Sequence, residues 1–371
     1  MSRRQGPSPQ PRPGILDISP YVPGSSGDKA QGPVFKLSSN ESALGVSPAV
    51  LDALKASGEN IHLYPDGGAS ALRETIGARH GLDPARIICG AGSDEILQLL
   101  ARGYLGPGDS IVQTTHGFLV YALAAKACGA RVNFAPERNL TADVDAILNA
   151  VDDTTRLVFL ANPNNPTGTY LADEKVRYLR DNLRSDIILV IDSAYAEYMD
   201  ADDYAPGDAL VDAGDNVVMT RTFSKIYGLG GLRLGWGYFP AEIADVINRI
   251  RGPFNVSASA MVAGIAAIGD QAFVAENRAH NARERNRLVQ RIGGLGLEFV
   301  PGVANFILVR FPPDPARNAK AALGFLARRG VIVRDMTAYG LPGYLRISIG
   351  SVEANNAFID GLVAFMEDGH V

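Results

Sequence analysis

The chain has 371 residues, 46% of them hydrophobic, and a formal net charge of −5, so it can form one large or two ordinary globular domains. The acidic balance disfavours nucleic-acid and anionic-membrane partners, and the longest apolar runs are too short to span a bilayer. Two cysteines, Cys89 and Cys128, form neither a disulfide framework nor a zinc spacing, and the histidines show no ligand spacing. We therefore expect a cytoplasmic protein with no metal site.

The N-terminus, MSRRQGPSPQPRPG, lacks the apolar segment of a secretory signal. Its Pro-rich composition predicts a disordered lead-in of about 15 residues. Its arginines are interpreted as part of a solvated tail.

From about residue 85, short apolar runs alternate with helical stretches. The predicted strands are RIICG, DSIVQTT, RLVFLANP, DIILVIDSAY and NVVMTRTFSK. The predicted helices are SDEILQLLARGYL, capped by Ser93 or Asp94, LVYALAAKACG, closed by Gly129, and ADEKVRYLRDNL. This alternation predicts an α/β fold with a mostly parallel sheet covered on both faces, in which ligands bind beyond the carboxyl ends of the strands.

After Pro253 the pattern changes. Residues 261–296 predict helix with a break near Gly269 and Asp270. The strand ANFILVRF, the helix AKAALGFLARRG and the strands VIVRDM and YLRISIG follow. Together they predict a smaller α+β domain joined by a long helix.

The stretch RTFSKIYGLGGLRLGW, residues 221–236, places a single lysine, Lys225, after a predicted strand and before a glycine run. A lysine amine is a useful nucleophile only when it is neutral, which requires desolvation or nearby positive charge. A position behind a buried strand, with Arg233 following, could supply both. A surface lysine in a loop is the alternative interpretation.

Polar groups also follow two other predicted strands. Asp192 ends an apolar run, so its carboxylate should be partly buried and should require a cationic partner, such as a protonated pyridine nitrogen. Tyr195 adds a phenol, and Asn165 lies in the turn ANPNNPTG. A strand-end cap and an ordinary turn remain alternatives for these residues.

The segment CGAGSDEIL, residues 89–97, places small residues where a strand meets a helix. Free N–H groups at a helix N-terminus suit a phosphate, although Asp94 and Glu95 also fit ordinary helix capping. Glu95 stands where the dinucleotide-binding fingerprint requires its third glycine, and the sequence contains no Walker-type GK[ST]. A nicotinamide-dependent dehydrogenase is therefore disfavoured.

These segments resemble those of fold-type I pyridoxal-phosphate aminotransferases, and among them the histidinol-phosphate aminotransferase family. The similarity covers nearly the whole chain, through GILDISPYVPG, LSSNESALGVSP, YPDGG, NPNNPTG, SKIYGLGGLRLGW, VIVRD and YLRISIG. The resemblance implies a large domain whose mostly parallel sheet is of the seven-stranded type, plus a smaller α+β domain. The implied division is an N-terminal arm (1–45) with small-domain and dimer contacts, a large cofactor-binding domain (46–270) and a small domain (271–371).

The resemblance also implies pyridoxal 5′-phosphate as the cofactor. Lys225 would form an imine with it and shuttle the proton, and Asp192 would keep the pyridine nitrogen protonated. Asn165 and Tyr195 would hydrogen-bond the ring oxygen, and Phe118 would stack on the ring, with core packing as its alternative. The implied phosphate ligands are Gly92, Ser93, Thr222, Ser224, Arg233 and, from the neighbouring subunit of a homodimer, Tyr64.

For the substrate, Arg346 matches the family arginine that binds a carboxylate bidentately. Arg334 would add a second cation and Tyr21 a hydroxyl, which together complete a larger anion site, and Asn165 is also expected to contact the substrate. The implied reaction is reversible transamination of L-histidinol phosphate with 2-oxoglutarate to imidazole acetol phosphate and L-glutamate, in histidine biosynthesis. An aromatic amino acid aminotransferase, a threonine-phosphate decarboxylase and a catalytically silent protein of the same fold are the alternatives. His116, which replaces a proline common in the family, is assigned no catalytic role.

Overall fold

A seven-stranded sheet occupies the centre of the computed structural model, which describes residues 10–12, 14–20 and 33–368. Its strands, in spatial order, are β2 (Ile87–Gly90), β8 (Gly235–Tyr238), β7 (Val217–Thr222), β6 (Ile188–Asp192), β5 (Thr155–Ala161), β3 (Ser110–Thr114) and β4 (Arg131–Ala135). Neighbouring strands from β7 to β4 are parallel, and β8 is antiparallel to β7 and β2. The predicted mostly parallel sheet is confirmed.

The central strands are apolar without interruption because both faces of the sheet are covered. In β5, Leu157 and Phe159 pack into an apolar cluster on one face, whereas Val158 and Leu160 pack into the cluster on the other face. The same alternation continues in β6 and β7. Each of these strands therefore contributes to two cores.

Helices from the first three quarters of the chain cover this sheet. In chain order they are α1 (Pro48–Ser57), α2 (Ser70–His80), α3 (Ser93–Tyr104), α4 (Leu119–Ala127), α5 (Val144–Asn149), α6 (Asp173–Asn182), α7 (Asp208–Asp212), α8 (Ala241–Ile250) and α9 (Ala258–Gly269). The predicted α3, α4 and α6 are confirmed, and Gly129 follows α4 with a φ of 81°. The predicted cap of α3 is wrong: Ser93 is already helical, and the N-cap is Gly92 with a φ of 86° and no side-chain cap hydrogen bond. A left-handed residue here favours glycine.

A second, antiparallel sheet has the order β12 (Arg334–Asp335), β13 (Tyr344–Ser348), β10 (Phe306–Arg310) and β9 (Glu298–Val300). An apolar cluster of its own joins it to α10 (Gln271–Gly294), α11 (Ala319–Arg328) and α12 (Val352–Asp368). The predicted break at Gly269 and Asp270 is confirmed, because α9 ends and α10 begins there.

The N-terminal segment lies beside this second unit, because β1 (Phe35–Lys36) pairs in parallel with β11 (Val331–Ile332). The predicted domain boundaries at residues 46 and 271 stay a prediction. Most of the predicted disordered lead-in, residues 1–9 and 13, and also Tyr21 lie outside the described residues.

The sequence analysis missed β4 and β8 for different reasons. β4 lies at the edge of the sheet, where Phe134 is 51% exposed. β8 contains Gly235 and Gly237, which interrupt the apolar run that is typical of a buried strand. A Cβ on Gly235 would lie 2.2 Å from the backbone nitrogen of Ser93, so glycine allows α3 to approach this strand closely.

Among the described residues, no single helix is long and apolar enough to cross a membrane. The pair α9 and α10 meets the length and composition criteria together, but it is bent by 76°.

Candidate active site

A cavity of about 230 Å³ lies at the carboxyl edge of the central sheet, where residues of the second sheet also reach it. It brings together eleven of the predicted site residues: Ser93, Phe118, Asn165, Asp192, Tyr195, Thr222, Ser224, Lys225, Arg233, Arg334 and Arg346. The large-domain residues in this set follow β2, β3, β5, β6 and β7 or end them. They meet because the carboxyl ends of parallel strands share one edge.

Three predicted site residues are not among those lining the cavity. Gly92 lies directly beside it, since a Cβ on Gly92 would be 2.5 Å from Nη2 of Arg233. Tyr64 lies on the surface, 83% exposed, with its ring stacked on Phe254 at a centroid distance of 4.7 Å. Tyr21 lies outside the described residues.

Lys225 follows β7 in a loop that turns sharply. Gly228, three residues on, has a φ of 73°, and a Cβ there would lie 2.0 Å from the carbonyl oxygen of Gly45. The glycine therefore allows the loop to pack against the N-terminal segment. The Lys225 amine lies 5.8 Å from the centre of the Tyr195 ring.

Desolvation, aided by the positive charge of Arg346, lowers the pKa of Lys225 to about 8. A larger fraction of this amine is therefore neutral near neutral pH than in an ordinary lysine. The sequence-based expectation of an activated nucleophile agrees with this geometry, although its role stays a prediction.

Asp192, the last residue of β6, is buried and accepts two side-chain hydrogen bonds. The Tyr121 hydroxyl donates to its Oδ2 at 2.7 Å, and the Thr220 hydroxyl donates to its Oδ1 at 3.2 Å. Burial raises the pKa of Asp192 to about 6, and the two donors only partly offset this effect. A cation brought next to this carboxylate would stabilise its charged form.

Tyr195, which follows β6 of the central sheet, has a buried phenol that is linked by hydrogen bonds to the second sheet. Its oxygen accepts a hydrogen bond from Nδ2 of Asn40 at 2.9 Å, and the backbone N–H of Asn40 donates to Oγ of Ser348 at 2.7 Å. Burial raises the pKa of Tyr195 to about 12, so the phenol is protonated at neutral pH and can donate to a ligand. This connection ties the phenol to the second sheet.

The two predicted substrate arginines are cross-strand neighbours. Arg334 of β12 is directly opposite Arg346 of β13, so their side chains leave the same face of the sheet. Arg346 is buried and donates to Oδ1 of Asn165 at 2.5 Å and to the carbonyl oxygen of Ser38 at 3.1 Å. Two guanidinium groups at one site suit a doubly charged anion.

The start of α3 forms the anion-binding part of the cavity. Ser93, the first residue of the helix, is buried, and its N–H group belongs to the set that no helical carbonyl can satisfy. Arg233 approaches the same turn, with Nη2 3.5 Å from Oδ2 of Asp94, and Thr222 and Ser224 line the cavity nearby. Backbone N–H groups, hydroxyls and a guanidinium are donors suited to a phosphate.

Sequence analysis did not assign a role to Tyr121, Thr220 or Asn40. Tyr121 lies in the first turn of α4, three residues after the N-cap Phe118, and nothing in this local spacing identifies a carboxylate partner 71 residues away. Asn40 lies in the motif LSSNES, and its φ of 55° is a conformation that asparagine tolerates better than most residues.

The family model, the sequence relatives and the solved structures that are similar to this chain all point to aminotransferases. The family model of aminotransferase class I and II matches residues 32–362. The chain is 55% identical over 359 residues to a histidinol-phosphate aminotransferase of Paramagnetospirillum magneticum, covering 97% of this chain and 99% of the relative. It is 55% identical over 358 residues to that of Rhodospirillum rubrum, covering 96% and 97%. The crystal structure of histidinol-phosphate aminotransferase from Sinorhizobium meliloti in complex with pyridoxal-5′-phosphate has a TM-score of 0.84 at 27% identity, covering 96% of this chain and 97% of that one.

Proposed function

We propose that this chain, which belongs to the aminotransferase class I and II family, transfers the amino group of L-histidinol phosphate to 2-oxoglutarate. The products are imidazole acetol phosphate and L-glutamate, and the reversible reaction serves histidine biosynthesis. The observation that carries the proposal is the single cavity that joins Lys225, Asp192 and the paired arginines Arg334 and Arg346. The relatives at 55% identity, which are named for this reaction, support the choice of substrate.

The cavity residues fit pyridoxal 5′-phosphate. Asp192 is a buried acid with no cation bonded to it among the described side chains, and a pyridinium nitrogen would supply one. Gly92 stands where a Cβ would strike Arg233, so the glycine allows this guanidinium to approach the start of α3, where a phosphate would bind. When bound, the cofactor supplies an aldehyde for amine capture and a ring that accepts electrons from the substrate carbon.

Around the cofactor, each residue has a separate task. Lys225 holds the cofactor and moves the proton between the substrate carbon and the cofactor carbon, which its lowered pKa of about 8 favours. Asp192 keeps the ring nitrogen protonated. Tyr195 and Asn165 hydrogen-bond the ring oxygen, and Phe118 covers the ring face. The phosphate ligands are Gly92, Ser93, Thr222, Ser224 and Arg233.

The substrate anion lies at the arginine pair. Arg346 is already oriented by Asn165 and by the carbonyl of Ser38, so it loses little freedom when it binds an anion. Arg334, opposite it, supplies the second positive charge that distinguishes a phosphate dianion from a carboxylate. Tyr21 belongs to this proposal as a further donor.

The proposed enzyme is a cytoplasmic homodimer. Tyr64 is 83% exposed in one chain, so its phenol is available to the phosphate site of a neighbouring copy. Cys89 and Cys128 are buried free thiols, which fit a reducing compartment.

A half-reaction followed by absorbance tests the proposal. The purified cofactor-loaded protein is mixed with L-histidinol phosphate, phenylalanine, glutamate or threonine phosphate. Conversion of the cofactor to its amine form is recorded by absorbance, and release of carbon dioxide from threonine phosphate is assayed in parallel. We expect conversion at the lowest concentration with histidinol phosphate. A preference for phenylalanine would instead indicate an aromatic aminotransferase, and decarboxylation of threonine phosphate would indicate the second alternative. A protein that binds no cofactor would be a silent member of the fold.

Arg334→Ala tests the substrate site within the same experiment. Removal of a charge-assisted contact should weaken histidinol phosphate by roughly 10- to 100-fold and glutamate far less. Arg310→Ala, which removes an arginine of the same sheet whose side chain is 57% exposed, is the control. Equal losses for both substrates would contradict the two-arginine site.

A further inference from the structure

Tyr121 of α4 lies directly behind the proposed cofactor site. It is 1% exposed, and its hydroxyl donates to Oδ2 of Asp192 at 2.7 Å. Its ring stacks on Phe159 with a centroid distance of 4.7 Å and an interplanar angle of 6°, and it meets Phe118 edge-on at 5.6 Å. One side chain thus contacts both the residue proposed to cover the cofactor ring and the residue proposed to face its nitrogen.

We propose that Tyr121 is a positioning residue that holds the Asp192 carboxylate in the orientation and charge state required by the cationic ring nitrogen of the cofactor. The inference rests on the proposed function in one respect, which is the identity of that cation. The hydrogen bond and the ring packing of Tyr121 are present whatever ligand the cavity binds.

The direction of this hydrogen bond is determined by chemistry. An ionised carboxylate can only accept, so the phenol must donate. Burial raises the pKa of Tyr121 well above its ordinary value, and the negative charge of Asp192 raises it further, so the phenol retains its proton. The bond favours the charged form of Asp192 against burial and against the negative charge of Asp94.

The hydroxyl can be separated from the ring. Tyr121→Phe keeps the stacking on Phe159 and the edge contact with Phe118, and removes only the donor. Tyr238→Phe is a matched control, because the ring of Tyr238 is also 1% exposed and its hydroxyl donates to Oδ1 of Asp212 at 2.7 Å, at a carboxylate that does not line the cavity.

The measurement is the dissociation constant of pyridoxal 5′-phosphate and of its 1-deaza analogue, in which a C–H group replaces the ring nitrogen. We expect Tyr121→Phe to raise the constant for the natural cofactor about tenfold or more, the effect of a lost hydrogen bond to a charged group. For the analogue the expected change is less than about threefold, because no cation then faces Asp192. Tyr238→Phe should bind both ligands as the wild type does.

The same substitution in an Asp192→Asn background gives a second test. There Tyr121→Phe should change the affinity for pyridoxal phosphate by less than about threefold, because the charged acceptor is absent. An equal loss with both ligands, or an undiminished loss in the Asp192→Asn background, would make Tyr121 a packing residue and overturn the inference.

Thr220→Val provides the measurement if Tyr121→Phe does not fold. It removes the longer, 3.2 Å donor of Asp192 with a side chain of similar size. We expect a loss of about threefold for pyridoxal phosphate and none for the analogue, and equal losses would again contradict a role through Asp192. Failure of the wild-type protein to bind pyridoxal phosphate would overturn the proposed function itself, which distinguishes the two failures.

Discussion

Two acidic and two basic side chains lie along β6 and β7 and the loops that follow them, but their environments differ. Glu197 and Arg221 form a buried ion pair at 2.9 Å, with side chains 6% and 8% exposed. Asp192 precedes Glu197 on the same strand-to-loop segment, and Lys225 follows Arg221. Within residues 33–368, neither Asp192 nor Lys225 takes part in an ion pair at salt-bridge distance.

The pKa shifts follow this difference. Burial disfavours the charge of Arg221, but the Glu197 carboxylate together with the Tyr227 and Tyr204 phenols outweighs this effect and raises the pKa of Arg221. Without such partners, burial raises the pKa of Asp192 to about 6 and lowers that of Lys225 to about 8. Glu197 and Arg221 thus stabilise each other's charge, whereas no ion-pair partner among the described residues does so for Asp192 or Lys225.

Removal of the proposed nucleophile should have the largest effect on the proposed reaction. Lys225→Ala should slow amino transfer in the half-reaction by roughly 10³-fold or more, since both the covalent attachment and the proton carrier are lost. Because Lys225 has no ion pair to break, the cofactor-free variant should unfold at the wild-type urea concentration or above it. Lys175→Ala, at an exposed lysine of α6, is the control. A variant that keeps a tenth of the wild-type rate would refute the assignment.

Glu197→Ala should have the largest effect on stability. It leaves Arg221 buried without its carboxylate, which should lower the free energy of unfolding by about 3–5 kcal/mol. Asp245→Ala breaks the ion pair with Arg249, which has a shorter distance of 2.7 Å but side chains that are 60% and 73% exposed. That control should leave the free energy of unfolding nearly unchanged, because water screens an exposed ion pair. Similar costs in urea denaturation would mean that burial does not distinguish the pairs.

Asp192→Asn should stabilise the cofactor-free protein. The pKa of Asp192 rises on folding from 3.8 to about 6, so the stabilisation linked to its proton is complete below pH 3.8 and is lost as the pH rises through 6. At pH 8 the variant should exceed the wild type by up to about 3 kcal/mol, and the gain should shrink towards pH 4. The same variant should bind pyridoxal phosphate more weakly. Thermal unfolding across this pH range would show a constant difference if Asp192 were not the titrating group.

The smallest effect is the pH dependence of cofactor capture. An amine attacks an aldehyde only when it is neutral, so if Lys225 captures the cofactor as proposed, the rate should rise about tenfold per pH unit below pH 8 and level off above it. Stopped-flow absorbance gives the midpoint. Arg346→Met removes the nearby positive charge and should move the midpoint upwards. A wild-type midpoint near 10.5 would show that Lys225 is not desolvated.

Much of the site could be predicted from local sequence because its side chains follow apolar strands. β5, β6 and β7 are buried on both faces, so their composition identifies them, and the polar residues after them must meet at one edge. β8 could not be found in this way, because close packing against the start of α3 requires a glycine at position 235, where an apolar side chain would mark a buried strand.

The sequence by itself thus determined the apolar strands β2, β3, β5, β6 and β7, the sheet edge at which the cavity lies and the residues proposed to carry the chemistry. Only the tertiary structure decided which groups, distant in the chain, are the hydrogen-bond partners and neighbours of these residues. Tyr121 reaches Asp192 across 71 residues of chain, Asn40 reaches Tyr195 across 155, and antiparallel register places Arg334 opposite Arg346. Periodicity and composition record the burial of a residue, whereas the partner of a buried polar group depends on the packing of elements far apart in the chain.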